Sequence, residues 1–148
     1  MTEKQNKKEN LEELKEDYSE LEKEYNLPSF DILNRDFYIE KLVDVETDFL
    51  LREVRKMVAD KMVNYLKFFE AFVNPSAAPV FIHSIMKNLD NESKEKIKKV
   101  YERLSKREVE LIGMDLSYDD NKEANFINSF VKEWEEISRD LSNVISLI

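Results

Sequence analysis

Apolar residues recur along most of this chain at alternating intervals of three and four, the spacing that gathers them on one face of an α-helix. From Glu9 the seam Leu11, Leu14, Tyr18, Leu21 and Tyr25 is separated mostly by Glu and Lys, which predicts a helix over 9–25 that Pro28 stops. Residues 1–8 read as a flexible lead-in. Between 27 and 43 the runs are shorter. Ser29 can cap a short helix through Asn34, and Phe30, Ile32, Leu33, Phe37, Ile39 and Leu42 would cover the end of a bundle. Asp44 or Thr47 then caps a long helix over 46–73, whose apolar residues cover a stripe roughly 140° wide, broader than a surface helix needs. Asn74-Pro75-Ser76 breaks it, and Pro79 opens a helix over 78–89. Asp90 caps a helix with Ile97, Val100, Tyr101, Leu104 and Leu111 inward, and Gly113 is placed where a left-handed C-cap residue would end it after Ile112. A last helix, 120–147, carries Ile127, Phe130, Val131, Trp134, Ile137, Leu141, Val144 and Ile145 on one face.

These segments predict an all-α fold: a single compact bundle of about five helices, mostly antiparallel, over residues 9–148, with an acidic amphipathic N-terminal helix. Composition sharpens the expectation. The 148 residues hold one glycine and three prolines, too few to turn a β-sandwich or to cradle phosphates in glycine-rich loops. With 42% hydrophobic residues the chain has material for a core despite 37% charge, which excludes a disordered composition. The absence of cysteine excludes disulfides, thiolate metal sites and a cysteine nucleophile. No window reaches the ~20 apolar residues of a membrane span, and the N-terminus lacks a secretory leader, so a cytoplasmic protein is expected.

The net charge of −9 argues against nucleic acid or an anionic membrane acting on the molecule as a whole. Its distribution is uneven. Residues 9–25 carry eight carboxylates against Lys15 and Lys23, a net −6. Residues 94–107 carry seven basic residues against Glu95 and Glu102, a net +5. Within that stretch Lys96, Lys99, Arg103, Lys106 and Arg107 fall within about 100° of one another on the helical wheel. This basic ridge can face solvent, the acidic first helix, an acidic partner or phosphates. No aromatic residues interleave it for base stacking, and no helix-turn-helix signature accompanies it.

Catalytic and metal chemistry finds little footing. A di-metal bundle needs paired Glu-x-x-His motifs, yet His83 is the only histidine and Val80 stands three residues before it. Asp115, Ser117, Asp119 and Asn121 space their oxygens like a calcium loop. However, the sixth position is Asp120 instead of glycine and the twelfth is Phe126 instead of glutamate. These acids read better as caps at a helix start. Two charges interrupt apolar stripes: Lys61 lies about 20° from Val54 in angle, and Glu108 falls between Ile97 and Tyr101. A buried charge needs a partner, so Lys61 and Glu108 are a candidate pair or shared polar network, with Arg52 or Arg55 as an alternative partner for Glu108. The other reading is that Lys61 snorkels its ammonium to water and Glu108 lies past the packed part of its helix.

The run Tyr101–Leu111, with Lys122-Glu-Ala-Asn-Phe-Ile, Lys132-Glu-Trp-Glu-Glu-Ile and Leu27-Pro-Ser-Phe-Asp-Ile-Leu-Asn, resembles small acidic all-helical proteins of archaea. That resemblance implies an archaeal source and a compact helical fold, and it assigns no activity. Asp36-Phe37-Tyr38 and the Arg103–Leu111 helix are similar in placement to the helical domain of GINS replication-complex subunits, whose small β domain has no counterpart here.

The expectation is a non-catalytic helical interaction protein without cofactor or metal. Its partner would be a protein, met through the basic ridge or the N-terminal seam, and the seam also offers a route to a homodimer. Nucleic acid is a lesser alternative, through the resemblance to a nucleic-acid-associated complex. A small enzyme using a buried Lys/Glu/Arg network is the other.

Overall fold

A computed structural model describes residues 2–147 of the chain. Among the described residues there are six α-helices, two short 3-10 segments and no strand. The all-helical expectation holds, and the helix boundaries follow from local chemistry. Helix α1 (Glu3–Tyr25) starts six residues earlier than the seam predicts. Thr2 and Gln5 form a reciprocal cap: the Gln5 N–H donates to the Thr2 hydroxyl, and the Thr2 N–H donates to the Gln5 side chain at 3.1 Å. Residues 3–8, expected as lead-in, are therefore helical. Asn26 closes α1 with φ 53°, a left-handed conformation that asparagine tolerates.

Helix α2 (Phe30–Phe37) begins as expected at Ser29, whose hydroxyl accepts the Ile32 N–H. Tyr38, at φ 58°, ends it, and a 3-10 segment, Ile39–Asp44, follows. Helix α3 (Leu50–Val73) starts later than 46 because the Thr47 hydroxyl takes up the Phe49 N–H in a tight local turn. A second 3-10 segment, Pro75–Ala77, precedes α4 (Val80–Asn88). Helix α5 (Asn91–Leu116) is capped by Asp90, which accepts the Ser93 N–H at 2.7 Å. Helix α6 (Asp120–Ile145) is capped by Asp119, which accepts the N–H groups of Asn121 and Lys122. Of the acids around 115–121, Asp119 serves as the helix cap, Asp120 is the first residue of α6 and Asp115 lies in the last turn of α5.

Gly113 does not end α5. The helix continues to Leu116, and Gly113 keeps a negative φ. A glycine inside a helix costs ~1 kcal/mol relative to alanine. Leu111 and Met114, both buried, flank it and hold this turn in place. Burying two such side chains contributes about 1.5–3 kcal/mol each, which outweighs the glycine.

Residues 9–148, expected as one domain, group into two compact units. The first comprises the described part of Met1–Asp60 with Tyr118–Val131, and the second Lys61–Ser117 with the described part of Lys132–Ile148. In the first unit the Tyr18 ring is fully buried, meets Phe30 edge-on at 5.9 Å, and donates its hydroxyl to the Pro28 carbonyl. Burial, aided by the nearby Glu22 carboxylate, lifts the Tyr18 phenol above its ordinary range. Phe126 and Phe130 stack at 5.7 Å, and Phe37 packs on Phe130. In the second unit Trp134 meets Tyr65 edge-on at 5.0 Å, beside buried Met62, Leu104 and Ile137. There Arg103 pairs with Glu136 and Arg107 with Glu133, so α5 and α6 run antiparallel over this stretch.

Gly113→Ala is expected to stabilise the protein by about 0.5–1 kcal/mol, since nothing lies within 4 Å of the added methyl and the backbone is already helical. A urea titration should show a raised midpoint at unchanged slope. Asp90 supplies a pH signature. Its hydrogen bond from the Ser93 backbone holds the carboxyl below its usual value. The cap's contribution is complete above the unfolded-state value of ~3.9 and disappears as pH falls through the lower folded-state value. Asp90→Ala should therefore melt earlier than the parent at pH 7, and the difference should shrink below about pH 3.9 in thermal scans.

Candidate interaction surfaces and a buried ion pair

Arg55 and Glu123 form the charged pair sealed in the first unit. Their side chains are 3% and 1% exposed. Arg55 Nε donates to Glu123 Oε2 at 2.5 Å and its Nη2 to Oε1 at 3.3 Å, so the guanidinium grips both carboxylate oxygens. A second guanidinium, Arg52, places Nε 3.7 Å from Oε1 and lies over the Tyr118 ring at 5.4 Å. Glu123 sits in the first turn of α6, where the helix's positive end also favours a carboxylate. Two arginines thus converge on one buried carboxylate at a helix start.

Lys61 and Glu108, the candidate buried pair, do not make one. Glu108 is exposed on α5, and the Lys61 ammonium lies 5.1 Å over the Trp134 ring. Lys61 keeps its stem on apolar surface and presents its charge to an aromatic face. Arg52 and Arg55, the alternative partners expected for Glu108, contact Glu123 instead. A signal for that acceptor was present in the sequence. Glu123 stands four residues before Ile127 and seven before Phe130, on the apolar stripe of α6, and Arg55 stands seven before Met62 on that of α3. An acid in a first turn reads by default as a dipole partner, and that default hides it.

The basic ridge divides. Arg103 reaches Glu136 at 3.1 Å and Glu133 at 3.8 Å. Arg107 reaches Glu133 and Glu110, each at 3.2 Å. Both arginines thus bind acids of their own unit. Lys96 makes a long contact with Glu92 at 3.9 Å, while Lys99 and Lys106 stand exposed. One turn further along α5, Val109, Ile112 and Leu116 are 69%, 60% and 83% exposed.

The N-terminal seam docks within its own unit. Leu14 and Tyr18 are buried, and Leu11, Leu21 and Tyr25 are partly covered. The Asn128 side chain of α6 donates to the Tyr25 carbonyl at 3.2 Å. The middle of the seam is therefore occupied by the first unit's own core. His83 is exposed on α4. Among the described residues no helix is long and apolar enough to cross a membrane. The chain matches no known protein family, no curated protein and no solved structure.

Removing one member of the buried pair strands the other charge. Glu123→Ala or Arg55→Ala should each destabilise by about 3–5 kcal/mol in denaturant titrations, and joint replacement by Met and Leu should recover much of that loss. Glu108→Ala should stay within about 0.5 kcal/mol of the parent.

Proposed function

We propose that the protein is a non-catalytic interaction module that binds a protein partner through the outer face of α5. The observation that carries this reading is the apolar stripe Val109, Ile112 and Leu116, exposed on a helix whose preceding turns present Lys99 and Lys106. These five residues fall within roughly 140° on the wheel, a mixed basic and apolar face. Exposed apolar clusters on otherwise charged surfaces mark contact sites. A partner with an apolar strip edged by carboxylates would match it. Gly113 lies within the same face and leaves it flat, with open space above its backbone.

The remaining expectations weigh on the same side. Arg103 and Arg107 are engaged by Glu133 and Glu136, which shifts the basic contact onto the lysines. Burial of Leu14 and Tyr18 argues for α5 over the N-terminal seam, and against a homodimer through it. The enclosed Arg55–Glu123 pair offers no face to a substrate, which favours binding over catalysis. The proposal carries with it a cytoplasmic setting and an archaeal source, as the sequence leads one to expect.

The test is capture from native cell extract on the immobilised full-length protein, with and without nuclease. A protein retained in both cases, and lost with Ile112→Asp and with Lys99→Glu/Lys106→Glu, supports the reading. Circular dichroism should show unchanged helicity for both variants, whose surface substitutions cost no more than about 0.5 kcal/mol. Retention abolished by nuclease would assign the lysines to phosphates, and retention that survives both variants would remove α5 from the contact.

A further inference from the structure

A groove of about 370 Å³ opens in the second unit, at the end of α5 away from the Val109–Leu116 stripe. Ile97, itself buried, forms part of its floor, with Phe72, Val73 and Met86 along its walls. The apolar surface continues out of the groove along α3. Phe68 meets Phe72 at 5.3 Å and is 43% exposed, and Val73 is similarly open. Two ammonium groups one helical turn apart, Lys94 and Lys98, border the groove, with Glu95 as the one acid in its lining. Lys67 and Lys87 flank Phe68 and Met86 in sequence and are also exposed. In a chain of net charge −9 this neighbourhood is basic.

An apolar trough with cationic edges selects an occupant that is apolar on one side and anionic along its margins. The described residues hold no strand, so there is no sheet edge for an extended peptide to join by main-chain hydrogen bonds. Val73, Lys94 and Lys98 of its lining are exposed, which suits an occupant that keeps its other face in water. A methionine wall adapts to varied side chains. We propose that this groove docks an amphipathic helix of a partner protein, its apolar stripe flanked by aspartate and glutamate. Anchors at i, i+3 or i+4 and i+7 would sit against Phe68, Phe72 or Val73, and Met86, with carboxylates meeting Lys94 and Lys98. This site stands whether or not the outer face of α5 binds anything, and with it the protein would hold two partners at once.

The probe is a synthetic amphipathic peptide of about 18 residues, five helical turns, with leucines on one face and Asp/Glu beside them. A control peptide carries lysines in place of the acids. Binding to the full-length protein is followed by fluorescence anisotropy of labelled peptide, alongside co-sedimentation with vesicles rich in phosphatidylglycerol. The acidic peptide should bind at least about ten-fold tighter than the basic one, with loss of that margin in Lys94→Glu/Lys98→Glu. Val73→Asp, at an exposed position, should weaken the acidic peptide by about ten-fold or more while helicity and melting temperature hold. Ile112→Asp should leave it unchanged, which separates this site from the α5 stripe. Equal binding of both peptides, binding indifferent to Val73→Asp, or binding to the vesicles alone would overturn the proposal.

Discussion

A carboxylate from α6 and a guanidinium from α3 are enclosed together in the first unit. Once Arg55 faces inward, the 100° step of an α-helix turns Val58 of the same unit inward with it, and Val58 is fully covered. Glu123 does the same within the first unit for Ile127 and Phe130 of α6, both fully buried. Apolar contacts are tolerant of sliding and rotation by a fraction of a turn. A two-pronged hydrogen-bonded pair is not, because any misalignment leaves a charge in a low-dielectric interior. Such a pair adds little net stability against a hydrophobic equivalent. Its contribution here is selection of one arrangement of α3 against α6 within the first unit.

Charge elsewhere is used in a graded way. On α5 the arginines reach across to α6, while Lys99 and Lys106 remain exposed. The difference follows side-chain chemistry: a planar guanidinium can satisfy Glu133 and a second acid at once, as Arg107 does with Glu110 and Arg103 with Glu136. Lysine, a compact and strongly hydrated charge, gains less from a fixed partner. The basic stretch is thus partly a clasp inside the second unit and partly a free edge, and the free edge continues into apolar side chains that solvent alone would not favour.

Much of the helical layout was legible in the residues. Ser29, Asp90 and Asp119 begin helices because their side chains accept the first free N–H groups, a local effect that spacing reveals. Three features resisted. The Thr2–Gln5 cap is a short-range signal in a stretch without any apolar marker. Gly113 follows the local rule for a helix end, but buried neighbours on both sides override it. The Arg55–Glu123 pair joins positions 68 residues apart, and no local pattern says which of several inward charges will meet. Lys61 shows the converse: its position on the stripe was legible, while the indole face that receives it depends on tertiary packing. The apolar stripe ending at Leu116 became visible only when α5 proved longer than its glycine suggests.

Trp134 is the chain's only tryptophan, and it lies in the second unit with an ammonium above its ring and Tyr65 at its edge. Its emission is therefore a built-in optical gauge of that unit, coloured by a cation whose departure would alter the signal. The first unit holds Tyr18, Tyr25, Tyr38 and Tyr118 but no indole. The molecule thus arrives with its two halves already distinguishable by light, without a label.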